Sequence, residues 1–138
     1  MIYKFKFDEK EYSLGEENLE YFANDENEEL KDIDENKILE LLTNSNEVEF
    51  EKAYYENCCS NCKAGKEEKK KAFDFLEVHF YVYGKNNKYV TSSIDDEYDK
   101  KSFTRLNRER IVDKSYLVTV MVCKNCGTYA MEIEEFEV

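Results

Sequence analysis

Proline and tryptophan are absent from this 138-residue chain, histidine occurs once, and there are only four glycines. Without proline, turns have to be made by Asn, Asp, Ser and those glycines. With one histidine, any Ser-His-Asp or Cys-His arrangement would have to use His79 alone. No phosphate-binding Gly-rich loop, Gly-x-Ser-x-Gly elbow or His-Glu-x-x-His occurs. Long apolar runs are also missing. The longest, Tyr116 to Cys123, is interrupted by Thr119 and falls well short of the roughly 20 residues that cross a bilayer. Residues 1–22 hold Lys4, Lys6, Asp8, Glu9 and Glu11 and no run of signal-peptide character, so the expectation is a soluble cytoplasmic protein with no membrane role.

What is present is aromatic and acidic. Eleven Tyr and nine Phe separate the chain from disordered acidic sequences, and its length suits one domain over 1–138 with a core of its own. The net charge of −12 is unevenly placed. Residues 1–57 carry 18 acids against 6 Lys, whereas residues 58–138 carry 14 acids against 14 Lys and Arg, so the whole excess is N-terminal. Such a chain as a unit is repelled by nucleic-acid phosphates and anionic lipid.

The patterning predicts an α+β fold: an antiparallel sheet with two short N-terminal helices. Tyr3, Phe5 and Phe7 alternate with lysines, and Tyr12 and Leu14 continue the period of two after Asp8-Glu9-Lys10, which predicts a hairpin. Ser13 and Glu16 have capping-box spacing and predict a helix over Gly15 to Phe22. Asn24 to Glu29 reads as a linker. Asp32 and Glu35 repeat the cap spacing before a second helix over Ile33 to Leu42, stopped by Thr43-Asn44-Ser45-Asn46. Val48 and Phe50 predict a strand running to the first cysteines, giving an acidic hairpin-helix-helix-strand segment over 1–57.

Beyond them, Lys66 to Lys71 reads as a solvated turn. Leu76, Val78, Phe80 and Val82 share one face of a strand, Gly84-Lys85-Asn86-Asn87 is a turn, and Lys88 to Ser93 returns as the partner. Residues 94–114, with Asp95-Asp96-Glu97, Phe103, Leu106 and Ile111, predict a short helix or an irregular excursion. Ser115 to Val122 is apolar on both faces, as a central strand would be. From Thr128 a last strand carries Tyr129, Met131 and Ile133. Phe136 and Val138 fall out of phase and predict a bulge or a change of packing near Glu134-Glu135.

The chemistry lies in two short stretches, Cys59-Ser60-Asn61-Cys62 and Cys123-Lys124-Asn125-Cys126-Gly127. Two residues between two cysteines let both sulfurs point inward from one turn, and Gly127 allows the positive φ that this turn favours. The first stretch has Lys63 where the glycine would stand. This paired motif resembles the knuckles of the zinc-ribbon superfamily and of rubredoxin-type iron sites. Taken whole, the chain also resembles an uncharacterised bacterial family with no assigned function. The zinc-ribbon resemblance covers about a third of the chain and implies a ribbon-like antiparallel sheet over 58–138. Cys59, Cys62, Cys123 and Cys126 would then hold a structural zinc, with iron as the alternative. Sixty residues separate Cys62 from Cys123, against about 15–20 in simple four-cysteine sites, so a hairpin must be inserted between the knuckles. Four sulfurs leave no open coordination position, which points away from catalysis.

Three further features bear on function. Cys58 could replace Cys59 as a ligand through a Cys-x-x-x-Cys spacing, but reads better as a spare thiol. His79 reads as a partly exposed structural residue. Arg105, Arg108 and Arg110, with Lys100, Lys101 and Lys114, form the one locally basic segment of consequence, suited to RNA or phosphate, to charge neutralisation against the acidic N-terminal helices, or simply to a solvated face. The function expected is a non-enzymatic protein-interaction or accessory module whose partner is another protein. The alternatives are a dithiol redox protein using a Cys-x-x-Cys pair and an RNA-binding zinc ribbon.

Overall fold

The computed structural model describes residues 1–27, 29–45, 48–95 and 102–136. The expectations placed on Asn46, Asp96, Glu97, Lys100, Lys101 and Val138 therefore lie outside the described residues. In chain order the elements are β1 (Tyr3–Phe7), β2 (Lys10–Leu14), β3 (Leu19–Ala23), α1 (Glu35–Asn44), β4 (Glu51–Tyr55), β5 (Phe73–Lys85), β6 (Lys88–Ser92), α2 (Phe103–Arg108), β7 (Lys114–Cys123) and β8 (Tyr129–Glu135). β1 and β2 form a separate hairpin, and the main sheet runs β3-β8-β7-β5-β4, with β6 pairing the far end of β5.

The molecule is mostly β, and the expected pair of N-terminal helices is overturned. Where a helix was expected over 15–22, residues 16–18 make a single 3-10 turn and Leu19–Ala23 is strand β3. The reason is local and long-range together. Asn18, rather than Glu16, reaches back to cap: its Oδ1 accepts from the Gly15 amide at 2.9 Å, while its Nδ2 donates to the Ser13 and Gly127 carbonyls. That arrangement delivers Leu19-Glu20-Tyr21-Phe22 to the open edge of β8, where aromatic residues suit a strand and the backbone groups of the edge find partners. The β3–β8 pairing is parallel, so the sheet is not wholly antiparallel.

α1 is the one long helix among the described residues, and it begins two residues later than the spacing suggests. Asp34 is the N-cap, its carboxylate accepting from the Lys37 amide at 2.8 Å, whereas Asp32 takes a left-handed φ of 63° in the turn before it. Ile38, Leu39, Leu41 and Leu42 bury against the hairpin and one face of the sheet. The strand expected at Val48 and Phe50 starts later, at Glu51; Phe50 instead stacks on Phe5, with ring centroids 4.1 Å apart.

β7 lies between β5 and β8, as its apolar faces suggest. One face of β5 (Leu76, Val78, Phe80, Val82) joins the main core with α1 and the hairpin. The other face is covered at one end by α2, through Leu106 packed with Tyr83 and Val112. The expected bulge near Glu134-Glu135 is absent: β8 keeps a regular register through Glu135, and the Phe136 amide donates to the Ser115 carbonyl at 2.9 Å. Phe136 is out of phase because it serves the second face, packing on Tyr81. No helix among the described residues is long and apolar enough to cross a membrane.

Candidate metal centre

Strand register, not proximity in sequence, assembles the cysteines. The first pair lies on the connection from β4 to β5, the second on the turn from β7 to β8. Because β5 and β7 are neighbours with Phe75 opposite Cys123, the start of one strand and the end of the other bring both turns to one end of the sheet.

The two turns share a backbone form. The Lys63 amide donates to the Cys59 carbonyl and the Gly127 amide to the Cys123 carbonyl, both at 2.9 Å. Lys63 has φ 54° and Gly127 φ 82°, so the residue after each second cysteine occupies the left-handed region. The missing glycine in the first knuckle has therefore not changed its shape. Lys63 adopts a conformation that costs a non-glycine residue roughly 1 kcal/mol or more.

The sulfurs of Cys59, Cys62, Cys123 and Cys126 all lie within 4.8 Å of one another, and Cys59–Cys126 and Cys62–Cys123 are each 3.6 Å apart. A tetrahedral ion with metal–sulfur bonds of about 2.3 Å requires sulfurs about 3.8 Å apart, so the donor set fits such an ion. Four cysteines are thus positioned to hold a metal. Cys58 is not in this group; it is half-buried and faces a cleft on the second face of the sheet.

The thiols differ in environment. Burial pushes Cys123 up to about 12 and also raises Cys59. For Cys126 burial works in the same direction, but hydrogen bonds from Thr128 and then Asn61 and Cys59 outweigh it and hold the thiol at about 6. The Asn61 amide stands 3.7 Å from Cys126 Sγ and 3.1 Å from Thr128 Oγ1. A thiolate is the form that binds metal, and this hydrogen-bonded sulfur supplies one without prior proton loss at neutral pH.

The acidic N-terminal half is part of the centre's frame. Tyr12 donates through its hydroxyl to the Lys124 carbonyl at 2.7 Å, and Lys10 Nζ donates to the Lys124 and Asn125 carbonyls. Tyr129 donates to the Gly15 carbonyl at 2.9 Å, and Ser60 donates to Glu20 on β3. Periodicity gave no sign of this bracing, because each bond joins segments 40 or more residues apart.

His79 is exposed on β5, with Nδ1 3.0 Å from Thr119 Oγ1 and Nε2 3.1 Å from Glu77 Oε1, and it has no place among the sulfurs. Arg105, Arg108 and Arg110 are exposed on or just after α2, with Arg105 3.6 Å from Glu109. α2 and α1 pack on opposite faces of the sheet. The basic segment therefore does not lie against the N-terminal helix.

A family model described as "Protein of unknown function (DUF3785)" matches residues 3–138, and the chain belongs to that family. No curated protein and no solved structure matches it.

Proposed function

We propose that this member of the family is a non-enzymatic protein-interaction or accessory module, held in shape by a structural zinc ion on Cys59, Cys62, Cys123 and Cys126. The observation that carries the reading is the convergence of four sulfurs from two distant turns at separations suited to a tetrahedral ion. Zinc would tie the β4–β5 connection to the β7–β8 turn, which the Asn61 side chain already joins through Thr128. With all four positions filled by protein, it would have no site for substrate or activated water.

Two features weigh against the dithiol reading. Cys126 leads into strand β8, whereas a thioredoxin-like Cys-x-x-Cys sits at a helix N-terminus. The two sulfur pairs at 3.6 Å, Cys59–Cys126 and Cys62–Cys123, also run between the knuckles. The deciding experiment is elemental analysis of purified protein combined with thiol labelling before and after chelation. One zinc per chain, with four thiols becoming reactive only after chelation, is expected. Metal-free protein with a rapidly exchanging disulfide would replace this reading with the redox one.

A further inference from the structure

Among the described residues, the second face of the main sheet is only half covered. α2 closes the end that carries Tyr81 and Tyr83, while towards the knuckles the same face opens into a cleft of about 660 Å³. Phe75, Met121 and Ala130 line it as apolar surface, and Tyr21 on β3 and Tyr55 on β4 stand at its two sides. The geometry points to this cleft as the docking site for an extended segment of a partner protein bearing lysine or arginine, an inference that rests on the interaction-module reading and names the chemistry of the partner.

Charge is the first argument. Glu20, Glu56, Glu77 and Glu132 line the cleft, and no Lys or Arg does so among the described residues. Three of these carboxylates are held in place by hydroxyl donors, Tyr21 to Glu132 at 2.7 Å, Tyr55 to Glu77, and Ser60 to Glu20, and Glu77 also has His79 Nε2 at 3.1 Å. A hydroxyl donor orients a carboxylate and leaves its charge uncompensated, so the cleft presents fixed negative charge to whatever enters. Beside it the rings of Tyr21, Tyr55 and Phe75 offer surfaces on which an ammonium or guanidinium can lie.

Shape decides which cation fits. Among the described residues the four sulfurs are the one group of three or more metal-ligating side chains that converge closely enough for an ion, so no three of the cleft's carboxylates do so. From β3 to β4 the cleft crosses five strands, a width of about 19 Å at roughly 4.8 Å per strand. That matches about six residues of extended chain. A basic peptide with apolar residues between its charges would meet the carboxylates and the apolar floor together.

The test is fluorescence anisotropy with a labelled ten-residue peptide in which Lys and Arg alternate with Ser and Leu, on protein whose metal content is measured in the same sample. Glu77→Gln/Glu132→Gln should weaken binding at least about tenfold, with melting behaviour confirming that the variant is folded. Glu11→Gln/Glu40→Gln, on the hairpin and α1 across the sheet, should change it less than about twofold. Equal loss in both variants would assign binding to bulk charge and overturn the proposal, as would no binding or equal binding of a Glu-substituted peptide. Displacement by spermine at the same concentration as unlabelled peptide would also overturn it, in favour of small polycations. Zinc-loaded protein that ignores the peptide would sink the cleft and leave the structural-zinc reading standing. Metal-free protein that binds the peptide would do the reverse.

Discussion

Lys63 and Gly127 occupy equivalent places in two turns 64 positions apart: each donates its amide at 2.9 Å to the carbonyl of the cysteine four residues earlier, and each has a left-handed φ. One is the residue best suited to that conformation and the other is among those it strains.

Exchanging them in type should therefore have opposite effects. Lys63→Gly is expected to stabilise the metal-loaded protein by about 0.5–1 kcal/mol, and Gly127→Ala to destabilise it by about 1 kcal/mol or more, read from urea unfolding. A Cβ at Gly127 would meet nothing nearer than Tyr12 Cδ1 at 3.9 Å, so its cost is conformational and not steric. A shift of the same sign in both variants would contradict the equivalence of the turns.

Chelation should lower the melting temperature by at least about 10 °C. Structural zinc contributes about 10 kcal/mol or more to the folding of small zinc peptides, while a loss of only about 3 kcal/mol would produce this shift in a chain of this size. The hydrophobic core formed by α1, the hairpin and β5, β7 and β8 should keep part of the protein folded. An unchanged calorimetric melt after verified metal removal would count against a structural role.

In metal-stripped protein, alkylation at pH 7 should reach Cys126 before Cys123. Cys126 is exposed and its thiol is held at about 6, whereas Cys123 is buried and pushed up to about 12. Asn61→Ala should slow the reaction at Cys126 by removing one donor to its sulfur. Peptide mapping by mass spectrometry gives the order directly.

Stability should fall between pH 10 and 12. Tyr21 is raised to about 12 by burial and by its bond to Glu132, and Tyr129 to about 12 by burial and by Glu35. In the unfolded chain both ionise near 10. Above that pH the native state holds protons that the unfolded state has released, so the stabilisation present below pH 10 is lost as pH passes through the native values. Tyrosinate absorbance should show Tyr21 and Tyr129 ionising in a step that coincides with unfolding.

Gly84→Ala tests packing against propensity. In a strand interior alanine would ordinarily gain about 0.5–1 kcal/mol over glycine. Here the added Cβ would lie 2.7 Å from Leu30 Cδ1 and 3.0 Å from the Lys88 carbonyl, so a net loss of about 1–3 kcal/mol is expected by thermal unfolding.

The amino-acid order alone determined the elements whose side chains repeat with a clear period. The alternation in Tyr3 to Leu14 gives the hairpin, the stripe of Ile38, Leu41 and Leu42 gives α1, and the apolar alternation of β5 and the doubly apolar β7 place them inside a sheet. It also marked two cysteine pairs, because two intervening residues are what a turn needs to aim both sulfurs one way. Tertiary structure decided the rest. Leu19–Ala23 became a strand, against its cap-like spacing, because the edge of β8 had backbone groups to satisfy and Asn18 tied the turn to Gly127. Phe136 broke phase because it packs on the second face. The four sulfurs met because β5 and β7 pair with Phe75 opposite Cys123, a register set by burial along the whole length of both strands and invisible in either cysteine motif.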